Sequence, residues 1–66
     1  MEIVVNGKPR RAAADVSLAQ AVAMLTDAET GIAAAVNGDV IRRAAWEATR
    51  LSDGDEVEVL TAVQGG

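Results

Sequence analysis

The chain has 66 residues, half of them apolar, and a formal net charge of −4. This length predicts a single domain over residues 1–66, and the apolar half excludes a disordered polyelectrolyte. There is no cysteine and no histidine, which excludes a disulfide framework, a cysteine nucleophile and a thiolate or imidazole metal site. The acidic balance argues against nucleic-acid binding, because phosphate contacts require a basic excess.

Nothing in the sequence predicts a membrane segment. No apolar run approaches the roughly 20 residues of a membrane helix, and no basic-then-apolar leader stands at the start. We therefore expect a cytoplasmic protein with no metal site and no cofactor of its own.

The first half of the chain predicts a hairpin followed by a helix. A strand over residues 2–6 reaches Asn6-Gly7, a pair typical of a type I′ turn because both residues tolerate positive φ. The returning strand is expected over residues 10–13. Ser17 and Gln20 then fit a capping box at the start of a helix. The apolar stripe of this helix consists of Leu18, Ala21, Val22 and Leu25.

The second half of the chain predicts three strands. Residues 32–36 form a continuous apolar run between glycines, too short for a helix, and we interpret it as a buried central strand. A second Asn-Gly pair, at residues 37 and 38, leads into a short strand over residues 40–42. The remaining segments are a short helical turn within residues 43–51, a turn at residues 52–55 and a last strand over residues 56–63.

The order of predicted elements is β-β-α-β-β-β. One amphipathic helix needs a sheet to cover, and a right-handed crossover through the helix is favoured if the first and last strands lie parallel. The pattern therefore predicts an α+β protein of the β-grasp, or ubiquitin-like, class. It has a mixed sheet of four to five strands packed on one main helix, with a flexible C-terminal Gly-Gly tail.

The tail, Gln64-Gly65-Gly66, has two interpretations. One is an ordinary frayed end. The other is a functional end: glycines lack Cβ and can thread a narrow cleft in extended form. The α-carboxylate after Gly66 would be ionised and resistant to nucleophiles, until a partner with ATP converts it to an acyl-adenylate. We expect residues 63–66 to form such an extended reactive tail, since no other group in the chain suits covalent chemistry.

Three parts of the sequence resemble the ThiS family of sulfur carriers in thiamine biosynthesis. They are residues 53–66, the opening strand with Asn6-Gly7, and residues 36–46. The likeness extends over the whole chain, and the tail is its most specific part. Ile41 and Arg42 depart from the family pattern, in which a proline often precedes the arginine. The alanine-rich helix and third strand are also plainer than usual.

The resemblance implies a carrier that is a substrate of enzymes and is not itself an enzyme. An E1-like adenylating enzyme of the ThiF type would activate Gly66, using its own ATP and Mg²⁺. Sulfur from a persulfide donor would displace AMP and leave a terminal thiocarboxylate. Thiazole synthase of the ThiG type would then receive the sulfur. Gly65, Gln64 and Val63 would occupy the cleft of the partner.

Candidates for partner docking outside the tail are Leu60, Glu58 and Trp46. Leu60 breaks the outward pattern of Glu56 and Glu58, and is either an ordinary exposed leucine or part of a docking patch beside the tail. Trp46, the sole aromatic residue, fits core packing better than a contact. The acidic residues near the end of the chain form either a solvated face or a charge that steers the tail toward a basic, nucleotide-binding partner.

Other functions remain open at this point. Within the same class are the small subunit of molybdopterin synthase, which is usually somewhat longer, and a carrier for tRNA thiolation. A different class is a ubiquitin-like protein modifier, joined to lysines through Gly66. In a non-covalent binding module, the two last glycines would be dispensable. The length and the ending at residues 63–66 favour the thiamine pathway.

Overall fold

The computed structural model describes residues 1–27 and 30–61, and over them the chain forms a five-stranded mixed sheet with one α-helix packed against one face. The strands follow the spatial order β2-β1-β5-β3-β4. This arrangement confirms the predicted α+β, ubiquitin-like β-grasp class. The elements are β1 (Glu2–Val5), β2 (Lys8–Arg11), α1 (Leu18–Leu25), β3 (Ile32–Val36), β4 (Asp39–Ile41) and β5 (Glu56–Thr61).

The last strand, β5, occupies the middle of the sheet. It runs parallel to β1 and antiparallel to β3, so the first and last strands are parallel, as expected from the crossover through the helix. The prediction that residues 32–36 form the central strand was wrong in its position. β3 lies between β5 and β4, and within it Ala34 alone is fully buried. Because the helix covers one face only, Ala33 on the other face is exposed.

Both Asn-Gly pairs form the predicted turns. The φ angles are 52° at Asn6 and 81° at Gly7, and 50° at Asn37 and 89° at Gly38. Positive φ at both central residues is the signature of a type I′ turn, whose twist matches that of the flanking strands.

The two-residue turns also correct two predicted strand starts. A turn of this length pairs Val5 directly with Lys8, so β2 begins at Lys8 and ends at Arg11, two residues earlier than predicted at each end. For the same reason β4 begins at Asp39 instead of residue 40. Pro9 lies within β2, which is an edge strand, where a residue without an N–H is tolerated.

The helix begins with the predicted capping box. The Ser17 hydroxyl accepts a hydrogen bond from the Gln20 backbone N–H at 3.1 Å, and the Gln20 side-chain oxygen accepts one from the Ser17 N–H at 3.0 Å. The helix ends at Leu25, with Thr26 as its C-cap. Leu25, the last residue of the predicted apolar stripe, is 36% exposed. Spacing assigns it to the apolar stripe, while its burial depends on how far the sheet extends beneath the last turn.

The core lies between the helix and the sheet, and the segment after β4 closes one end of it. This segment contains a 3₁₀ turn at Arg43–Ala45, as the sequence predicted for residues 43–51. Within residues 1–27 and 30–61, every buried polar side-chain atom has a hydrogen-bond partner. The buried apolar residues are Ile3, Val5, Val16, Leu18, Ala21, Val22, Ala34, Trp46, Leu51, Val57 and Val59.

Replacing Ser17 by alanine tests the capping box. We expect S17A to lower the free energy of unfolding by about 1 kcal/mol, because the Gln20 N–H loses its acceptor at the helix start. Urea unfolding followed by circular dichroism measures the change. The matched control is S52A at an exposed serine, which should change stability by less than about 0.5 kcal/mol. Equal losses in the two variants would contradict the capping role.

Candidate functional site

The predicted reactive residues, 63–66, come shortly after the central strand β5 in the sequence. The structure describes β5 as far as Thr61, and the last two residues of the predicted strand, 62 and 63, lie outside the described residues. Val63, Gln64, Gly65 and Gly66 lie outside the described residues. The part of the candidate site that the structure describes is therefore β5 and its surroundings.

The side chain of Asn6 holds β5 beyond the end of β1. Its carboxamide oxygen accepts a hydrogen bond from the Val59 N–H at 2.8 Å, and its Nδ2 donates to the Val59 carbonyl at 3.1 Å. One side chain thus satisfies both backbone groups of Val59, two residues before the end of β5. We call this pair of bonds the Asn6 clamp. Its two partners are separated by 53 positions in the sequence.

The side chain of Asn37 holds the opposite end of β5. Its carboxamide oxygen accepts from the Glu56 N–H at 3.0 Å, and its Nδ2 donates to the Asp55 carboxylate at 3.1 Å. The other oxygen of that carboxylate accepts from the Ser52 N–H at 2.8 Å. We call the two bonds of Asn37 the Asn37 clamp. The sequence identified both asparagines as turn formers and missed their second role.

The outward face of the sheet carries an exposed apolar patch next to the end of β5. Leu60 is 69% exposed and lies opposite Ala33 on β3. Val40, on β4, is 78% exposed and lies opposite Ala35. Glu58 also pairs with Ala35 and borders these residues with a charge. We call Leu60, Val40, Ala33 and Ala35 the open-face patch.

Sequence reasoning found Leu60 and Glu58 but missed Val40. The signal was present, since β4 alternates between an outward Val40 and a half-buried Ile41. A strand of only three residues gives too little alternation to assign its faces, and the predicted strand started at the wrong residue.

Trp46 lies on the helix side of the sheet, away from the open-face patch. It is 5% exposed and belongs to the core. Its Nε1–H donates to the Ile41 carbonyl at 2.8 Å, and the Arg43 guanidinium lies 5.2 Å from the ring centroid. These contacts agree with the packing interpretation of Trp46. The structure therefore brings Leu60 and Glu58 together and leaves Trp46 elsewhere.

The acidic residues before the tail divide into two kinds. Asp53 accepts a hydrogen bond from the Glu2 N–H at 2.8 Å, and Asp55 accepts from Ser52 and Asn37. These two carboxylates stabilise the turn that leads into β5. Glu56 and Glu58 point outward from the strand and are exposed.

The described residues contain neither a cluster suited to a metal ion nor a helix suited to a membrane. Among residues 1–27 and 30–61, no three acidic residues lie close enough together to hold a metal ion. The helix described by the structure is not long and apolar enough to cross a membrane.

Comparison with known proteins decides the family. The ThiS family model matches residues 3–66. The chain belongs to the ThiS family. The match includes Gly65 and Gly66, and it confirms the resemblance that the sequence suggested. ThiS proteins are small sulfur carriers in thiamine biosynthesis, and this chain is a member of that carrier family.

Solved structures support the same assignment. The crystal structure of a thiamine biosynthesis protein (ThiS) from Geobacter metallireducens matches with a TM-score of 0.80 and 35% identity, covering 100% of both chains. An NMR solution structure of a thiamine biosynthesis protein from the same organism matches with a TM-score of 0.81 and 35% identity, covering 100% of this chain and 88% of the other. No curated protein matches the chain.

Truncating Leu60 in the open-face patch tests whether the patch contributes to the stability of the fold. We expect L60A to change the free energy of unfolding by less than about 0.5 kcal/mol, because the side chain is exposed in the folded protein. V59A, its neighbour on the buried face, should cost about 2 kcal/mol. Urea titrations of both variants measure the two changes. A loss at Leu60 as large as that at Val59 would show that the patch is part of the core.

Proposed function

We propose that this chain carries sulfur for thiazole formation in thiamine biosynthesis, as a thiocarboxylate on Gly66. The observation that carries the proposal is the ThiS family match, which runs through both terminal glycines. The chain then acts as one carrier domain over residues 1–66, with residues 63–66 as its reactive tail. Gly65, Gln64 and Val63 occupy the cleft of each partner.

The proposed chemistry takes place on the carboxylate of Gly66. A carboxylate oxygen attacks the α-phosphorus of ATP, and pyrophosphate leaves. The terminal sulfur of a donor persulfide then attacks the acyl carbon, forming a C–S bond while AMP leaves. A thiol cleaves the remaining S–S bond, and the products are the thiocarboxylate and a disulfide on the donor side. Thiazole synthase of the ThiG type consumes the thiocarboxylate.

The composition of the chain suits a substrate in this cycle better than a catalyst. With no cysteine and no histidine, the chain has no thiol that could intercept its own adenylate and no imidazole base. An adenylating enzyme of the ThiF type supplies ATP and Mg²⁺, and this chain binds no cofactor itself. We place the cycle in the cytoplasm, where ATP is available.

The open-face patch is the proposed docking surface for the adenylating enzyme. Leu60 comes directly before Thr61, the last described residue of β5. An enzyme that holds the tail in its active site would therefore lie close to this end of the strand, where the open-face patch is exposed. Glu58 at the border favours a partner with basic residues around an apolar contact. Trp46 contributes by holding Ile41, the neighbour of Val40, through its indole N–H.

Intact mass spectrometry tests the carrier function. After incubation with a ThiF-type enzyme, ATP, Mg²⁺ and a persulfide donor, we expect the mass to increase by the replacement of one oxygen by sulfur. A variant lacking Gly66 should fold, as judged by circular dichroism, and should gain nothing. Conjugates of higher mass would instead indicate a protein modifier, and an unchanged mass under all conditions would indicate a binding module.

Charge insertion tests the docking surface. We expect L60E and V40E to raise the KM of the adenylating enzyme for this chain about ten-fold or more, the effect of losing about 1.4 kcal/mol of contact energy. The kcat should change less, because the tail is intact. A23E is the matched control, since it adds the same charge at an exposed position of α1, beside the groove that Trp46 lines. A larger effect of A23E would place docking on the helix side.

A further inference from the structure

The two clamps share a chemical reactivity that the proposed carrier chemistry does not use. Asn6 and Asn37 are each followed by glycine, and each uses both polar atoms of its carboxamide to hold β5 or the turn before it. Asn-Gly is the pair in which the backbone nitrogen of the second residue reaches the asparagine side chain most easily. Apart from the glycine and its two chain neighbours, no heavy atom of the described residues lies within 4 Å of the position that a Cβ would take at Gly7 or Gly38.

The reaction open to such a pair is deamidation. The glycine backbone nitrogen attacks Cγ of the asparagine, a C–N bond forms, and Nδ2 leaves as ammonia. The resulting succinimide takes up water and opens to aspartate or to isoaspartate. The net change is replacement of NH₂ by OH, and it needs only water.

The clamps oppose this reaction in the folded protein. Attack requires the carboxamide to turn toward the next backbone nitrogen, and at Asn6 that movement breaks both bonds to Val59. At Asn37 it breaks the bonds to Glu56 and Asp55. We propose that Asn6 and Asn37 are latent deamidation sites, which β5 keeps closed while it lies in the sheet and which react when β5 detaches.

The product of the reaction prevents the clamp from closing again. Aspartate at position 37 would direct a carboxylate at the Asp55 carboxylate, where the Nδ2 donor now lies 3.1 Å from it. Aspartate at position 6 would direct an oxygen at the Val59 carbonyl. Like charges and opposed acceptors at these distances are repulsive. Isoaspartate would in addition lengthen the two-residue turn. When β5 detaches and an asparagine reacts, the aspartate or isoaspartate therefore remains in the chain after refolding.

Peptide-resolved mass spectrometry of the full chain tests the proposal. Cleavage after arginine separates Asn6, in residues 1–10, from Asn37, in residues 12–42. In mildly alkaline buffer we expect both peptides to deamidate several-fold more slowly in the folded protein than in denaturant. Equal rates in the folded and denatured protein would overturn the proposal.

Weakening the Asn37 clamp alone distinguishes protection by the clamp from general protection by the fold. D55A removes the acceptor of Asn37, whereas D53A makes the same change of charge in the same turn without a bond to Asn37. We expect D55A to raise the ratio of deamidation in residues 12–42 to that in residues 1–10 several-fold. D53A should not raise it, and D55N, which keeps an acceptor oxygen, should restore it. Because global unfolding accelerates both peptides, this ratio remains informative if a variant is destabilised. Equal ratios in D55A and D53A would contradict the proposal.

Discussion

The structure depends on how β5 is held in the middle of the sheet. Backbone bonds tie it to β1 on one side and to β3 on the other, and two asparagine side chains bind its backbone where the ladders end. A small domain buries only about 60% of the surface of its unfolded chain. Hydrogen bonds that span the sequence therefore matter more here than in a larger core.

This anchoring allows the two faces of β5 to have separate roles. Val57 and Val59 face the helix and contribute to the core, while Glu58 and Leu60 on the other face are exposed. The outward face of β5 therefore takes no part in the core, and Leu60 on that face comes directly before Thr61, the last described residue of the strand. A carrier protein leaves catalysis to its partner enzymes. The structural features it would need are a well-anchored strand, an exposed surface for docking and a chain end that can enter an active site.

The sequence predicted the elements whose causes are local. Positive φ at both Asn-Gly pairs and the capping box at Ser17 follow from residues within three positions of one another. The clamp from Asn6 to Val59 joins residues 53 positions apart, and no local pattern indicates it. Two further features of the candidate site, the exposed Val40 and the structural use of Asp53 and Asp55, depend on sheet register and turn geometry. For Gly66 the residues alone predicted a reactive end from a weak signal, two glycines, and the ThiS resemblance implied the specific chemistry that we propose there.

Growth without thiamine tests the central claim most directly. A bacterial strain that lacks its own ThiS carrier should grow without added thiamine when it expresses this chain, and should fail to grow with the chain lacking Gly66. A parallel strain that lacks the small subunit of molybdopterin synthase should gain no molybdoenzyme activity. Growth supported by the chain without Gly66, or rescue of the molybdopterin strain alone, would contradict the account.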